Sequence, residues 1–337
     1  VEIETILTGI TTTGTPHLGN YVGAILPAIQ ASRREEGRSF YFLADYHALV
    51  KCQEPERIKR STLEVAASWL AAGLDTERAI FYRQSDIPEV MELTWILSCM
   101  TAKGLMNRAH AYKAAVAENE AAQERDLDKN ISMGLFCYPI LMAADILLFQ
   151  ADKVPVGKDQ IQHLEMTRDI AARFNYHYGE HFILPNALVD ENAAVLLGLD
   201  GRKMSKSYNN TIPLFASEQQ LRKLILKIKT NSLEPGEPKD PDGCTLFGIY
   251  QAFAGEEEVI ALRKRYAEGI GWGEMKEFLF DYLNARLAAP RERYEDLLKS
   301  PDYIGKVLKE GAMKAREFST PFMQRIRQAV GIRALIP

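Results

Sequence analysis

Three groups of residues in this 337-residue chain have the types and spacing to act on a phosphorylated substrate. Lys203 and Lys206 flank Met204 and Ser205, with Ser207 next in line and Gly201 just before. Two ammonium groups on long stems are mobile point charges suited to polyphosphate, and the hydroxyls add donors. His17 and Asn20 stand three apart around Gly19, so they share a face at the start of an apolar-periodic segment. Unpaired helix N–H groups there attract anions, and a glycine lets a nucleotide ring lie against the backbone. Asp145 is the single carboxylate in the run YPILMAADILLF. A charge in such a run is costly unless it has a partner, so Asp145 is a ligand contact, an ion-pair member or a cap. Taken singly, each group has a plainer reading as a solvated turn, a capping histidine or a structural acid.

The elements that must position these residues follow a β-α-β-α-β order. Residues 4–10 read as a strand, and the turn TTTGTPHLGN leads into a helix whose stripe is Leu18, Val22, Ile25, Leu26 and Ile29. Phe40 to Ala44 is a continuous apolar strand that delivers Asp45 and His47 at its C-terminal end, where open α/β sheets place ligands. Glu54 to Ala72 is a helix with Pro55 near its start, and Ala79 to Gln84 a third strand. Residues 89–130 read as an insertion, with a helix from Glu89 to Met100, a turn carrying Lys103, Asn107, Arg108 and His110, and a polar stretch around Glu118 to Lys129 with few anchors, expected to be mobile or partly disordered. After Asp145, Val154 to Val156 form a short strand, Gly157 a turn, and a helix runs from Gln160 to about Phe174. Asp159 before it is an N-cap, an acceptor for a ribose hydroxyl, or both.

Beyond residue 213 the strands stop. Helical periodicity fills segments near 217–230, 256–268, 273–288, 291–299 and 302–330, with the Pro/Gly-rich connector Glu234 to Thr245 between the first two. The fold class is therefore α/β: a Rossmann-type, doubly wound parallel sheet with a helical insertion, then an all-α C-terminal domain. The expected boundaries are 1–213 for the catalytic unit and 214–337 for the helical one, whose last helix is a candidate to pack back on the first.

Hydrophobic content of 47% with 26% charged residues fits a globular enzyme. No apolar run reaches membrane-spanning length and no leader pattern opens the chain, so the expectation is a cytoplasmic protein with no membrane partner. The four cysteines, Cys52, Cys99, Cys137 and Cys244, lack CxxC spacing, which speaks against a zinc ribbon or a disulfide framework. The GxGxxG fingerprint is missing, which demotes a nicotinamide enzyme. Net charge is −4, split as +5 over residues 201–337 and −9 over 1–200, so the basic half permits RNA contact.

HLGN after the first strand, MAADILLF followed by VPVGKDQIQH, and KMSKS at residues 203–207 before a helical domain occur in the order of the bacterial tryptophanyl-tRNA synthetases, class I enzymes that nearly the whole chain resembles. Tyrosyl-tRNA synthetase is similar at the outer two signatures and differs in the middle block. The resemblance implies an ATP site with catalytic groups His17, Asn20, Lys203 and Lys206. Around them it implies Thr11, Thr12, Thr13 and Gly19 beside the nucleotide, Gly157, Lys158 and Asp159 facing ribose and adenine, Val195 as a candidate to pack on adenine, and Met204, Ser205 and Ser207 in the closing loop. It implies a tryptophan pocket of Asp145, Tyr138, Met142, Ile146, His47, Gln160, Val154 and Val156. It further implies ATP with Mg²⁺ held mainly by the ATP phosphates and no protein metal site, tRNA(Trp) as partner, anticodon binding by the helical domain, and a homodimer. Two departures stand out. Thr11 occupies a position where many relatives have Gln, and Lys113 is followed by Ala114 and Ala115 where relatives carry a Lys pair, so Lys113 is only a candidate contact. The dispersed cysteines give no cluster for the iron-sulfur site of some members.

The chemistry implied is two-step, adenylate formation and then acyl transfer to the 2′-hydroxyl of the terminal adenosine. Phosphoryl-type transfer rests on positioning and charge stabilisation, so no nucleophilic Ser or Cys is required. A nucleotidyltransferase shares a histidine at this helix start but lacks the VPVGKDQIQH block. A silent RNA-binding paralogue is disfavoured by intact motifs.

Overall fold

The computed structural model describes residues 4–33, 37–157, 160–189 and 195–332. Its centre is a five-stranded, wholly parallel sheet in the order β3-β2-β1-β4-β5, formed by β1 (Thr5–Thr11), β2 (Arg38–Ala44), β3 (Ala79–Arg83), β4 (Lys153–Pro155) and β5 (Asn186–Leu188). The chain steps outward from β1 to β2 and β3, then returns to β1's other side for β4 and β5. The switch point therefore lies between β1 and β4, where ligand crevices of such sheets open beyond the strands' C-terminal ends. β2 is the most buried strand, in keeping with its unbroken apolar run.

Helix α1 (Leu18–Asn20) continues through a π-helical turn (Tyr21–Ile25) into α2 (Leu26–Ser32). The short α3 (Asp45–Ala48) follows β2, and α4 (Pro55–Ala71) precedes β3. After β3 come α5 (Pro88–Ser98), α6 (Lys103–Met106), α7 (His110–Ala121) and α8 (Met133–Leu148). α9 (Ile161–Tyr178) separates β4 from β5. The C-terminal part is α10 (Glu218–Leu226), α11 (Thr245–Gln251), α12 (Glu256–Ala267), α13 (Trp272–Lys299) and α14 (Pro301–Ala329).

Several sequence expectations change here. The segment around Glu118 to Lys129 is folded: α7 runs to Ala121, and Asn119 Nδ2 donates to the carbonyls of Leu127 (2.8 Å) and Lys129 (2.9 Å), one side chain closing the turn. The helix expected at 89–100 starts at Pro88 and buries Val90, Leu93, Ile96 and Leu97 in the same core as α8, so it belongs to the sheet's covering layer. The two segments 273–288 and 291–299 are one helix, α13, which continues through Pro290 because the packing of Leu283, Leu287, Arg291 and Tyr294 continues across it. β5, three residues long and exposed along its whole length, gives no alternation that would mark it as a strand in the sequence.

Two buried clusters cover the sheet. One joins Leu18, Ile25, Tyr41 and Trp69 with Leu221, Phe247, Leu279 and Leu308, so the C-terminal helices and the sheet's first layer share a continuous core. The other joins Phe40, Ile140, Ile146, Val154 and Leu164 with Met323 and Ile326 of α14. α14 lies along edge strand β3 so closely that a Cβ on Gly311 would stand 1.7 Å from the Phe81 carbonyl oxygen. Arg316 and Thr320 then bond the buried carboxylate of Glu89 at the start of α5.

Candidate active site

The first cluster forms where the β1–α1 turn meets the KMSKS loop. His17 is the N-cap of α1: its Nδ1 accepts from the Asn20 N–H (3.3 Å), while Asn20 Oδ1 accepts from the His17 N–H (3.1 Å). This reciprocal cap has a chemical consequence. With Nδ1 committed as acceptor, the neutral ring carries its proton on Nε2, which is left as a donor. Burial, and then the charge of Lys206, lower the His17 pKa to about 4, so the neutral form prevails near pH 7. Asn20 spends its oxygen on the cap, which leaves its amide nitrogen for other acceptors.

The KMSKS loop is seated on this turn. Met204 is 4% exposed, and its Cβ lies 3.6 Å from where a Cβ on Gly19 would be. Lys206 Nζ lies 3.2 Å from the equivalent point on Gly14, whose φ of +146° is a glycine conformation. Desolvation there lowers the Lys206 pKa, partly offset by Glu64. Backbone bonds from Leu18 N–H to the Ile212 carbonyl (3.0 Å) and from Leu214 N–H to the Pro16 carbonyl (2.9 Å) tie the two segments together.

A residue outside the sequence motif organises the loop. Asn210 is 2% exposed, and its Oδ1 accepts from the Ser205 N–H (2.8 Å). Its Nδ2 donates to Asp200 Oδ1 (2.7 Å) and to the Lys203 carbonyl (3.1 Å). Asp200 is held down to about 2 by Asn210 and then Arg202. Gly198 is required opposite: a Cβ there would fall 2.3 Å from Asn210 Cγ. Ser205 and Ser207 bond each other through their hydroxyls (2.9 Å).

The second cluster gathers at the ends of β2 and β3. Asp145, 2% exposed on α8, accepts from Gln84 Nε2 at both oxygens (2.7 and 2.9 Å) and from His47 Nε2 at Oδ2 (2.8 Å). Since an ionised carboxylate only accepts, His47 must carry its proton on Nε2. Burial raises the Asp145 pKa, while His47 and Gln84 oppose that rise. Beside it, Tyr138 OH lies 2.7 Å from His163 Nε2, and His163 Nδ1 lies 3.0 Å from Gln160 Oε1. The Tyr138 ring meets His47 edge-on at 6.3 Å. Met142 and Val156 pack, partly buried, against the second of the sheet's two buried clusters, of which Ile146 and Val154 are buried members.

Other expected residues stand further from these contacts. Thr11 ends β1 exposed, Thr12 is buried with an unpartnered hydroxyl, and Thr13 is half-buried. Lys203 and Ser207 are exposed, as are Gly157 and Val195, the last at 62%. Lys113 is exposed on α7. Lys158 and Asp159 lie outside the described residues, and the N-cap of α9 is Gln160. Sequence reasoning missed Gln84, read only as the end of a strand, and Asn210, which lies outside the KMSKS motif. The partners of Gln84 are remote in sequence and those of Asn210 are mostly backbone groups, so no local spacing marks either residue. Among the described residues, no group of three or more His, Cys, Asp or Glu side chains could hold a metal ion, and no helix is long and apolar enough to cross a membrane.

Residues 3–288 match the family model described as tRNA synthetases class I (W and Y). The chain is 61% identical over 98% of its length to the tryptophan–tRNA ligase of Pseudomonas aeruginosa, covering 74% of that protein. It is 58% identical to that of Neisseria meningitidis, with 98% of both chains covered. Among solved structures, the tryptophanyl-tRNA synthetase of Campylobacter jejuni complexed with ADP and tryptophan superposes with a TM-score of 0.87 at 44% identity, covering 97% of this chain and 99% of that one. The chain belongs to the class I tRNA synthetases of the tryptophan and tyrosine type, in the branch of the tryptophan–tRNA ligases.

Proposed function

We propose that the chain activates L-tryptophan with ATP and charges tRNA(Trp) in two steps. The tryptophan carboxylate oxygen bonds to the α-phosphorus of ATP as pyrophosphate leaves. The 2′-hydroxyl of the terminal adenosine then takes the acyl group, gives up its proton, and AMP departs. ATP arrives as its Mg²⁺ complex, the metal being part of the substrate. His17 Nε2–H, the Asn20 amide, Lys203 and Lys206 face charge growing on the leaving pyrophosphate, where preorganised donors act most strongly. Thr11 to Thr13 and Gly19 flank the nucleotide, Gly157, Lys158 and Asp159 its ribose and adenine, and Val195 the adenine. Asp145 accepts the indole N–H. Tyr138, Met142, Ile146, Val154, Val156, His47 and Gln160 shape the pocket around it.

The observation that carries this reading is the juxtaposition of His17 and Lys206 across the β1–α1 turn, on the same sheet edge as a buried carboxylate with acceptor capacity. For tRNA, the +5 charge of residues 201–337 supports contact and anticodon recognition through the helical part. Membership of the family supports a homodimer as the working form. The cytoplasm is the compartment of such chemistry. Tryptophan-dependent exchange of pyrophosphate into ATP tests the proposal. Exchange that is absent, or equal with tyrosine, sinks it.

A further inference from the structure

The Asp145 carboxylate is buried among apolar side chains of α8, yet it must remain an aimed acceptor to read an indole N–H. Gln84 supplies the means. It is 0% exposed, and its two amide ends are spoken for: Oε1 accepts from the Tyr46 N–H (3.1 Å) while Nε2 reaches both Asp145 oxygens. The backbone N–H fixes the amide's sense. A flipped amide would set Oε1 against the carboxylate and NH₂ against a donor, so both contacts would be lost at once.

The acceptor count follows. A carboxylate offers about four lone-pair sites. Gln84 occupies one on each oxygen and His47 a second on Oδ2, so among the described residues the carboxylate's remaining capacity lies on Oδ1. We propose that Gln84 is a specificity-determining positioning residue, which holds Asp145 so that one oxygen keeps a single vacant acceptor site for a donor on the substrate ring. This rests on the reading of Asp145 as the indole contact and adds how that contact is aimed. The other titratable groups facing Asp145 are His47 and Asp45 of α3 and Tyr82 on β3. Of these, only His47 is seen to share the carboxylate's oxygens. Gln84 is itself placed by long-range packing. It follows β3, which α14 braces at Phe81, and precedes α5, whose Glu89 α14 also binds.

The test compares tryptophan with β-(3-benzothienyl)alanine, in which sulfur replaces the ring N–H, by pyrophosphate exchange. Gln84→Leu removes the donor at similar volume, and Gln84→Glu keeps the shape while replacing the donor by an acid. In folded Gln84→Leu, tryptophan KM should rise ~10- to 100-fold with kcat little changed, the loss of hydrogen bonds to one buried charged group. KM for the benzothienyl analogue should move less than ~3-fold on the same principle, since it never used that acceptor. Gln84→Glu should lose the same preference for tryptophan over the analogue, which keeps the idea testable where Gln84→Leu fails to fold.

Asp145→Asn and the double substitution separate the two claims. Asp145→Asn alone should abolish the preference, and adding Gln84→Leu should then change it no further. A preference that survives both Gln84 substitutions overturns the positioning role while leaving Asp145 intact as reader. A preference that survives Asp145→Asn but collapses in Gln84→Leu overturns both readings, because Gln84 would then act directly.

Discussion

Replacing Asn210 by Ala should unseat the KMSKS loop without touching the tryptophan pocket. Asn210 bonds four points of the loop, and two of them hold the motif itself: the Ser205 N–H at 2.8 Å and the Lys203 carbonyl at 3.1 Å, on either side of the seated Met204, whereas the Arg202 carbonyl at 3.4 Å is a long contact. The bond to the partly exposed Asp200 carboxylate adds little, because water can replace the lost donor there. Two backbone groups losing a partner cost about 1 kcal/mol each, and the space left against Gly198 adds a fraction more, for a total of about 2–3 kcal/mol. Spent on loop position, that reduces the seated population by up to about 30- to 150-fold. Since Lys206 reaches its place over Gly14 only while the loop is seated, kcat for adenylate formation should fall within that range. Tryptophan KM should hold, because among the described residues Asp145, Gln84 and His47 share no hydrogen-bond partner with Asn210. Asn210→Asp keeps the acceptor for Ser205 and loses the donor, so it should fall between. Pyrophosphate exchange measures both parameters. A folded Asn210→Ala enzyme whose kcat stays near wild type, or whose tryptophan KM shifts as far as kcat, would refute the assignment.

Lys206→Ala should lower kcat by the equivalent of about 3–4 kcal/mol with tryptophan affinity preserved, and it should raise the His17 pKa, which NMR titration of the ring can follow. The His17 shift also predicts an acid-side stability loss. Because its folded pKa is about 4 against an ordinary 6.5, the unfolded chain binds more protons between these values, so stability is full above about 6.5 and falls as pH drops toward 4. That loss is on the order of 2 kcal/mol from pH 7 to 5, and urea unfolding of His17→Gln should lack it. Gly311→Ala places a methyl 1.7 Å from the Phe81 carbonyl oxygen, where backbone cannot yield cheaply. It should cost about 3 kcal/mol in urea unfolding, and an unchanged midpoint would mean that α14 tolerates displacement from β3.

What the sequence made legible is what its neighbours in sequence determine. β1, the turn and the helix at Leu18 are contiguous, so their strand-turn-helix pattern identifies an anion site directly, and His17 and Asn20 form their cap within four residues. The KMSKS loop was equally plain as a charge pattern, but its seating depends on Asn210, whose amide fits only because residue 198 lacks a side chain. Asp145 could be flagged as an anomaly, since any carboxylate in an apolar helix must answer for its solvation. Its partners His47 and Gln84 lie 98 and 61 residues away, brought to it by the parallel register of β2 and β3. The same distinction explains α13: a proline breaks a helix by local rules, yet buried side chains on both sides of Pro290 carry it through. A motif thus names the groups that meet the substrate, whereas the groups that aim them come from tertiary pairing. Substitutions of the second kind should alter specificity or loop position in a chain whose motifs all remain intact.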